Sequence, residues 1–252
     1  MNIKTMMAAA KDFHRKPGYE LKFYPAPGGK KAPFALLAPG GGYRVVCSFV
    51  EGEPFARALN ERGYSAFVLY YRVDKQAKHP APLDDMARGL REILENAETY
   101  NVETEGFSVW GASAGGHLTA CFGTESLGYV HYGLPKPAAL VLSYPVITMM
   151  EKAHSRSRDY LLGKHPSREE MEAMSVEKLV TGKYPPTYIW NTATDELVPD
   201  ANSKLFAAAA EAAGIPCQYH CYPEGKHGQG LAIGTPCEGW FDEAVHFWET
   251  HR

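Results

Sequence analysis

Apolar runs suited to strands alternate along this chain with segments whose apolar positions recur at helical spacing. The period-2 and continuous apolar runs predict strands at Tyr19–Tyr24, Phe34–Ala38, Ser65–Tyr71, Phe107–Trp110, Ala138–Tyr144, Tyr188–Thr192 and Cys217–Tyr222. The helical spacing predicts helices at Glu53–Arg62, Leu83–Tyr100, His117–Phe122, Asn202–Ala213 and Trp240–His251. Glycines that directly follow two of these helices, Gly63 and Gly214, are typical of helix ends.

This alternation of strand and helix predicts an α/β fold. We expect a mostly parallel sheet of about eight strands with helices on both faces, in one domain over residues 1–252. The segment 148–183 departs from the pattern, because it is charged and longer than a simple crossover. It carries two short helical patterns, Asp159–Leu162 and Ser167–Met174, and we expect it to form a small cap insertion.

The composition narrows the classes of partner. Hydrophobic residues make up 45% of the 252 positions, enough for a sizeable core. The chain has 26 basic and 29 acidic residues, a net charge of −3, and no basic stripe, so nucleic acid is not an expected partner. No apolar run approaches the roughly 18 residues that a membrane-spanning helix requires, so no membrane partner is expected either.

The cysteines and the N-terminal segment indicate which cellular compartment to expect for the protein. Five cysteines, an odd number, lie mostly in apolar strand or helix contexts, which favours free thiols in a reducing cytoplasm. Cys217 and Cys221 lack a second ligand pair, so no zinc site is expected. The segment Met1–Lys16 is too short and too interrupted in its apolar content for a signal peptide.

A Gly-x-Ser-x-Gly pattern at 111–115 carries the first chemical signal. It follows a predicted strand and precedes a predicted helix, the context of a nucleophile elbow centred on Ser113. At so sharp a turn neighbouring backbone passes close by, which leaves no room for a Cβ at Gly111 or Gly115. The alternative interpretation is a glycine-rich turn in which the serine only caps the helix.

Two further loops carry the groups that would activate this serine. A serine hydroxyl needs a base to take its proton and a third group to orient that base. Asp195 follows the strand predicted at 188–192, and His227 follows the strand predicted at 217–222. Both would therefore lie at the carboxyl edge of a parallel sheet, where such folds place their sites.

Other residues in the chain are rivals for these roles. Glu196 and Asp200 are alternative acids, although Asp200 is also suited to cap the helix that begins near Asn202. His117 is an alternative base, but it lies inside the elbow helix. His220 falls in the middle of a predicted strand, where packing is the better expectation.

The glycine run after the second strand fits an oxyanion loop. Pro39-Gly40-Gly41-Gly42-Tyr43 follows the strand predicted at 34–38, and glycines leave backbone N–H groups free to face a ligand. The residue after the nucleophile, Ala114, is the second donor position. A phosphate-binding role is excluded, because the run lacks the Gly-Lys-Ser/Thr ending of a P-loop.

With these motifs the chain resembles the α/β-hydrolase superfamily, and within it the small bacterial acetyl esterases and acetylxylan esterases related to hormone-sensitive lipase. The resemblance extends from the glycine run to the last helix. Its specific pieces are Gly111–Gly116, Ser143–Ile147, Leu161–Gly163, Pro185–Thr187, Asp195–Pro199 and Gly225–Gly228. Two positions depart from the family pattern: Pro39 replaces the usual histidine of the oxyanion loop, and Asn191 stands where a histidine is expected before the acid loop.

The resemblance implies a set of roles. Ser113 would be the nucleophile, Asp195 the orienting acid and His227 the base, with the N–H groups of Gly41, Gly42 and Ala114 as oxyanion donors. It also implies ester hydrolysis through an acyl-enzyme, with no metal and no organic cofactor. Short acyl groups are favoured, and acetylated sugars such as xylo-oligosaccharides are the expected small-molecule substrates.

Three other possibilities stay open at this point. The same machinery would serve an arylformamidase or a feruloyl-type esterase. A hydrolase-fold protein that binds without turnover is a more distant alternative. Finally, the aromatic C-terminal helix, with Trp240, Phe241, Phe247 and Trp248, suits either core packing, which is the better expectation, or the seam of a homodimer.

Overall fold

The computed structural model describes residues 19–252, so the Met1–Lys16 segment lies outside the described residues. Seven strands form one sheet in this part of the chain, where about eight were predicted. They are β1 (Glu20–Tyr24), β2 (Phe34–Ala38), β3 (Ser65–Tyr70), β4 (Ser108–Ala112), β5 (Ala139–Ser143), β6 (Thr187–Thr192) and β7 (Cys217–Tyr222). The spatial order is β1-β3-β2-β4-β5-β6-β7, and β1 runs antiparallel to β3 while the other pairs are parallel.

Nine α-helices and three short 3-10 turns connect these strands in the described region. The helices are α1 (Ser48–Glu51), α2 (Glu53–Glu61), α3 (Ala81–Glu95), α4 (Ala97–Tyr100), α5 (Ser113–Phe122), α6 (Ser155–Leu161), α7 (Arg168–Ala173), α8 (Ala201–Ala213) and α9 (Trp240–His251). The 3-10 turns are Pro27–Gly29, Asp74–Gln76 and Val176–Lys178. The mostly parallel sheet with interleaved helices confirms the predicted α/β class.

Two apolar cores lie on the two faces of the sheet. Because side chains alternate along a strand, Leu36 and Leu37 belong to different cores, as do Val109 and Trp110. The first core contains residues of α3, α5 and α8, and the second contains residues of α2 and α9. The central strands β2, β4 and β5 are buried at every position, as expected for strands covered on both faces.

The C-terminal helix belongs to the second core. Trp240 and Trp248 are fully buried, and Phe241 and Phe247 are nearly so. Trp240 packs against Phe55 of α2 with ring centroids 5.4 Å apart. Core packing, the expectation favoured from the sequence, is therefore confirmed for these aromatic side chains.

Some predicted boundaries were wrong. The helix predicted over 83–100 is divided at Asn96, whose side-chain amide donates to the Glu92 carbonyl 2.8 Å away and competes there with the helical backbone bond. The elbow helix begins at Ser113, four residues before the predicted start. In the insertion, α6 begins before the predicted Asp159, while Ser167 caps α7 in a capping box with Glu170.

Parallel pairing brings the functional loops to one edge of the sheet. Ala38 at the end of β2 pairs with Gly111 near the end of β4, and Thr192 at the end of β6 pairs with Tyr222 at the end of β7. The glycine run, the elbow, the acid loop and the histidine loop all follow these strand ends. The register therefore places four separate loops beside one another.

The structure also describes the thiols and the apolar content of the helices. All five cysteines are free thiols, with Cys121 and Cys237 buried and the other three half-buried. Between residues 19 and 252, no helix combines the length and the apolar content needed to cross a membrane.

The packing of α8 gives a test of the first core. Phe206 is fully buried and packs against Tyr184 at 5.4 Å, whereas its neighbour Leu205 is 40% exposed. We expect Phe206→Ala to lower the free energy of unfolding by about 3–5 kcal/mol, because it opens a cavity. Leu205→Ala, the matched control, should cost less than about 1 kcal/mol. Urea unfolding measures both, and equal losses would contradict this orientation of the helix.

Candidate active site

The turn at Ser113 is held in a strained conformation by close backbone contacts. Ser113 has φ 54°, in the left-handed region that non-glycine residues rarely adopt. A Cβ on Gly111 would lie 2.2 Å from the Gly115 carbonyl oxygen, and a Cβ on Gly115 would lie 2.0 Å from the Ala38 carbonyl oxygen. The prediction that neither position has room for a side chain is confirmed.

Ser113, His227 and Asp195 form a continuous hydrogen-bonded chain. The Ser113 hydroxyl lies 2.7 Å from Nε2 of His227, and Nδ1 of the same ring lies 2.6 Å from Oδ2 of Asp195. The Asp195 side chain is 1% exposed and the His227 side chain 12%. The structure thus brings together the three residues that the sequence indicated, out of three different loops.

The hydrogen bonds around Asp195 define which atoms donate and which accept between Ser113, His227 and Asp195. Its other oxygen, Oδ1, accepts from the backbone N–H groups of Leu197 and Val198, each at 2.9 Å. With donors on both oxygens the group fits an ionised carboxylate, so Nδ1 of His227 carries the proton and donates it. Nε2 is then unprotonated and accepts from the Ser113 hydroxyl, as a general base requires.

The acid loop and the histidine loop are tied directly to each other. The hydroxyls of Thr192 and Thr194 both donate to the Gly225 carbonyl at 3.0 Å. The Gly225 N–H donates back to the Thr194 hydroxyl at 2.9 Å. These contacts hold the backbone that carries Asp195 and His227 in one arrangement.

The glycine run presents unused donors beside the serine. Gly41 and Gly42 have φ 131° and 66°, and within the described chain their N–H groups donate to no protein acceptor. Ala114 lies in the first turn of α5, where a helix leaves its N–H groups without internal partners. Pro39, the departure from the family pattern, is held through its carbonyl, which accepts from the Tyr71 hydroxyl at 2.6 Å.

The rival acids do not approach the serine–histidine pair. Glu196 is exposed, and Asp200 forms an ion pair with Lys204 one turn along α8. Asp200 has helical φ/ψ and makes no side-chain cap bond, so the capping role considered for it was wrong.

Asn191 is the second departure from the family pattern. Its side-chain amide donates to the Thr192 carbonyl at 3.1 Å, and its buried side-chain oxygen accepts no bond from any described residue.

The rival bases are occupied elsewhere. His117 is buried between Tyr43, whose hydroxyl is 2.9 Å from Nδ1, and the Met174 carbonyl, 2.8 Å from Nε2. Burial lowers its pKa from 6.5 to about 4, so the ring is neutral at neutral pH. His220 is half-exposed rather than packed in the core. It pairs with Glu243, and its ring stacks on Tyr222 with the ring centroids 4.1 Å apart.

A buried acid that sequence reasoning missed lies behind the glycine run. Glu51, at the end of α1, is 5% exposed. One carboxylate oxygen accepts from the Gly40 N–H at 2.7 Å, and the other accepts from the Tyr144 hydroxyl at 2.9 Å. Its position shortly after the glycine run was the only signal in the sequence, because Tyr144 is 93 residues away.

The insertion also reaches the site. His154, just before α6, lies with its Cε1 3.5 Å from the place of a Cβ on Gly42. Its Nδ1 is 2.8 Å from the Ser157 hydroxyl, and burial lowers the pKa of the ring. A neutral imidazole from segment 148–183 thus borders the glycine run.

Comparisons with known proteins match this chain to a family model and to several relatives. The model of the BD-FAE family matches residues 23–209. Endo-1,4-beta-xylanase B of Butyrivibrio fibrisolvens is 38% identical over 81% of this chain, and an acetylxylan esterase of Xylanibacter ruminicola is 32% identical over 81%. The aligned parts are 34% and 41% of those two relatives, so the chain spans less than half of their length.

A solved structure is similar over most of both chains. The acetyl ester-xyloside bifunctional hydrolase from Caldicellulosiruptor lactoaceticus is 36% identical, with a TM-score of 0.84. The alignment covers 93% of this chain and 89% of that one.

The buried His117 gives a prediction about acid stability. Its pKa is about 4 in the folded chain against 6.5 when exposed, so the unfolded state binds the proton more tightly. The free energy of unfolding therefore keeps its full value above pH 6.5. It falls by about 3 kcal/mol in total as the pH is lowered towards 4.

Replacing this histidine isolates its contribution. His117→Asn should be less stable than the wild type at pH 7 but should lose less stability between pH 7 and pH 5, as measured by urea unfolding at each pH. Parallel pH dependences for the two proteins would show that His117 does not titrate in this way.

Proposed function

The chain belongs to the BD-FAE family of α/β-hydrolases, and we propose that it is a serine esterase acting on short acyl esters. We propose acetyl esters of xylan-derived oligosaccharides as its main substrates. The observation that carries the proposal is the chain of two short hydrogen bonds from Ser113 through His227 to Asp195, 2.7 and 2.6 Å long. The unused N–H groups beside the serine complete the requirements for acyl transfer.

The proposed reaction starts with attack of the Ser113 oxygen on the ester carbonyl. His227 accepts the hydroxyl proton on Nε2, while Asp195 holds the ring through Nδ1 and stabilises the imidazolium. The N–H groups of Gly41, Gly42 and Ala114 donate to the oxyanion of the tetrahedral intermediate. The intermediate collapses to an acyl-serine as His227 gives its proton to the departing alcohol, and water then repeats the cycle to release the acid.

The insertion supports a polar alcohol group rather than a fatty chain. Segment 148–183 carries several charged or ionisable side chains, among them Lys152, His154, Arg156, Arg158, Asp159, Lys164 and His165. A lid for long acyl chains would need a broad apolar surface, whereas sugars are bound by hydrogen-bonding groups. The xylan-related names of the relatives support the same class of substrate.

Substitution of the proposed triad gives the first test. Ser113→Ala should lower kcat for p-nitrophenyl acetate by roughly 10⁴- to 10⁶-fold and abolish the burst of p-nitrophenol that accompanies acylation. Asp195→Asn should cost about 10⁴-fold, because an amide does not hold His227 in the required tautomer.

Asp200→Asn is the matched control within the same loop and should leave kcat within about twofold. A wild-type protein that shows no acylation would favour the non-catalytic alternative. A loss in Asp200→Asn equal to that in Asp195→Asn would overturn the assignment of the acid.

A panel of substrates tests the proposed specificity. We expect kcat/KM to be at least about tenfold higher for p-nitrophenyl acetate than for the decanoate, since an extended acyl chain would have to contact the polar insertion. Acetylated xylo-oligosaccharides should lose their acetyl groups, followed by mass spectrometry, faster than N-formylkynurenine or feruloyl esters are hydrolysed. Preference for either of the latter would identify an arylformamidase or a feruloyl-type esterase instead.

A further inference from the structure

We propose that the buried carboxylate of Glu51 is a positioning residue for this hydrolysis, which holds the oxyanion loop against Ser113 and, through the Tyr144 hydroxyl, supports the loop that carries His227. The inference rests on the proposed esterase function. It assigns Glu51 to the reaction although its side chain lies behind the glycine run and not in contact with the reacting atoms.

The first contact is with the oxyanion loop. Glu51 Oε2 accepts from the Gly40 N–H at 2.7 Å, and the Gly40 carbonyl accepts from the Cys47 N–H at 2.8 Å. Both backbone groups of Gly40 are thus held by the short segment that ends in Glu51. A Cβ at Gly40 would meet the Ser113 Cβ at 2.8 Å, so this peptide packs directly on the serine. The orientation of the next two N–H groups depends on that anchor.

The second contact is with the histidine loop. The Tyr144 hydroxyl donates to Glu51 Oε1 at 2.9 Å and accepts from the Gly230 N–H at 3.1 Å. The Tyr144 ring also packs edge-on against the His227 ring, with centroids 5.0 Å apart. One carboxylate therefore connects the backbone on both sides of the serine.

The backbone of Tyr144 supports a specific role for this contact. Its φ is 37°, a strained value for a residue with a side chain, and its N–H donates to the Trp190 carbonyl at 2.6 Å. Such strain persists where surrounding contacts hold it, and it is concentrated at functional sites. Here it directs the phenol between Glu51 and Gly230.

The hydrogen bonds indicate that Glu51 is ionised in the working enzyme. Because the Tyr144 hydroxyl accepts from Gly230, its own proton is available for Glu51, and both carboxylate oxygens then receive a donor. Burial raises the pKa of Glu51, while the charge of a protonated His227 and the two hydrogen bonds lower it. Among the described residues, no lysine or arginine pairs with it.

A buried carboxylate without a cationic side-chain partner is costly for folding. A neutral side chain of the same shape could fill this space at lower cost, so packing alone does not account for the acid. The charge is, however, useful beside a histidine that becomes an imidazolium during each half-reaction. Among the described residues, the other ionisable side chains near Glu51 are Cys47, Tyr71 and Tyr144, and those near His227 are Asp195, Tyr144 and His154.

The test compares Glu51→Gln with Glu53→Gln. Glutamine keeps the shape of Glu51 but removes the charge and one of its two acceptors. We expect kcat for p-nitrophenyl acetate to fall about 10- to 100-fold with KM changed by less than about threefold, because misplaced oxyanion donors affect the transition state more than the bound ester. Glu53 pairs with Lys22 and is partly exposed, so Glu53→Gln should match the wild type.

Two further readouts separate positioning from a purely structural role. In Glu51→Gln the acidic limb of the kcat/KM profile should move to lower pH, since loss of a nearby negative charge disfavours the imidazolium. A trifluoromethyl ketone, which forms a tetrahedral adduct with the serine, should also bind at least about tenfold more weakly. A variant that had only lost stability would keep the wild-type kcat/KM profile and the wild-type affinity for the ketone at a temperature where it is folded.

Tyr144→Phe provides a second variant should Glu51→Gln fail to fold. It removes only the hydroxyl and should lower kcat in the same direction, and the loss in the double variant should be smaller than the product of the two single losses. The inference would be overturned, while the esterase function stands, if Glu51→Gln or Tyr144→Phe kept the wild-type kcat, the wild-type acidic limb of the kcat/KM profile and the wild-type affinity for the ketone. A wild-type protein without ester hydrolysis would instead overturn the proposed function.

Discussion

The close contact of two backbone segments at the elbow is the constraint on which the site depends. The Gly115 position has no room for a Cβ, because the Ala38 carbonyl oxygen lies only 2.0 Å from where that atom would be. This contact places the end of β2, and the glycine run after it, against Ser113. The φ of 54° at the serine is maintained by parallel strands on both sides and by its carbonyl, which accepts from the Val146 N–H at 3.0 Å.

Around this turn the chain buries two acids, and each is compensated in its own way. Asp195 receives two backbone donors and the His227 ring, while Glu51 receives one backbone donor and a phenol. Burial of carboxylates opposes folding, so their hydrogen bonds must be complete for the fold to tolerate them. The same bonds hold the loops at the sheet edge in position, which links the stability of this region to its proposed chemistry.

Much of the fold and the centre of the site could be predicted, because both depend on local order along the chain. Ser113, Asp195 and His227 each follow a strand that periodicity reveals, and parallel pairing brings such strand ends together. The break at Asn96 could not be predicted, since it depends on competition between a side-chain amide and the helix for one carbonyl. His220 was expected to pack, yet it lies half-exposed on β7, at the edge of the sheet.

Local patterns are sufficient to indicate the α/β architecture, the elbow glycines and the serine, histidine and aspartate of the site, because strand periodicity and tight turns impose residue types locally. That Glu51, Tyr144 and His154 border the same site follows only from the folded structure. Their contacts join residues far apart in sequence, and each residue type has ordinary roles elsewhere in a chain. Such groups acquire a function through the burial and the neighbours that folding provides, and neither is encoded in a local pattern.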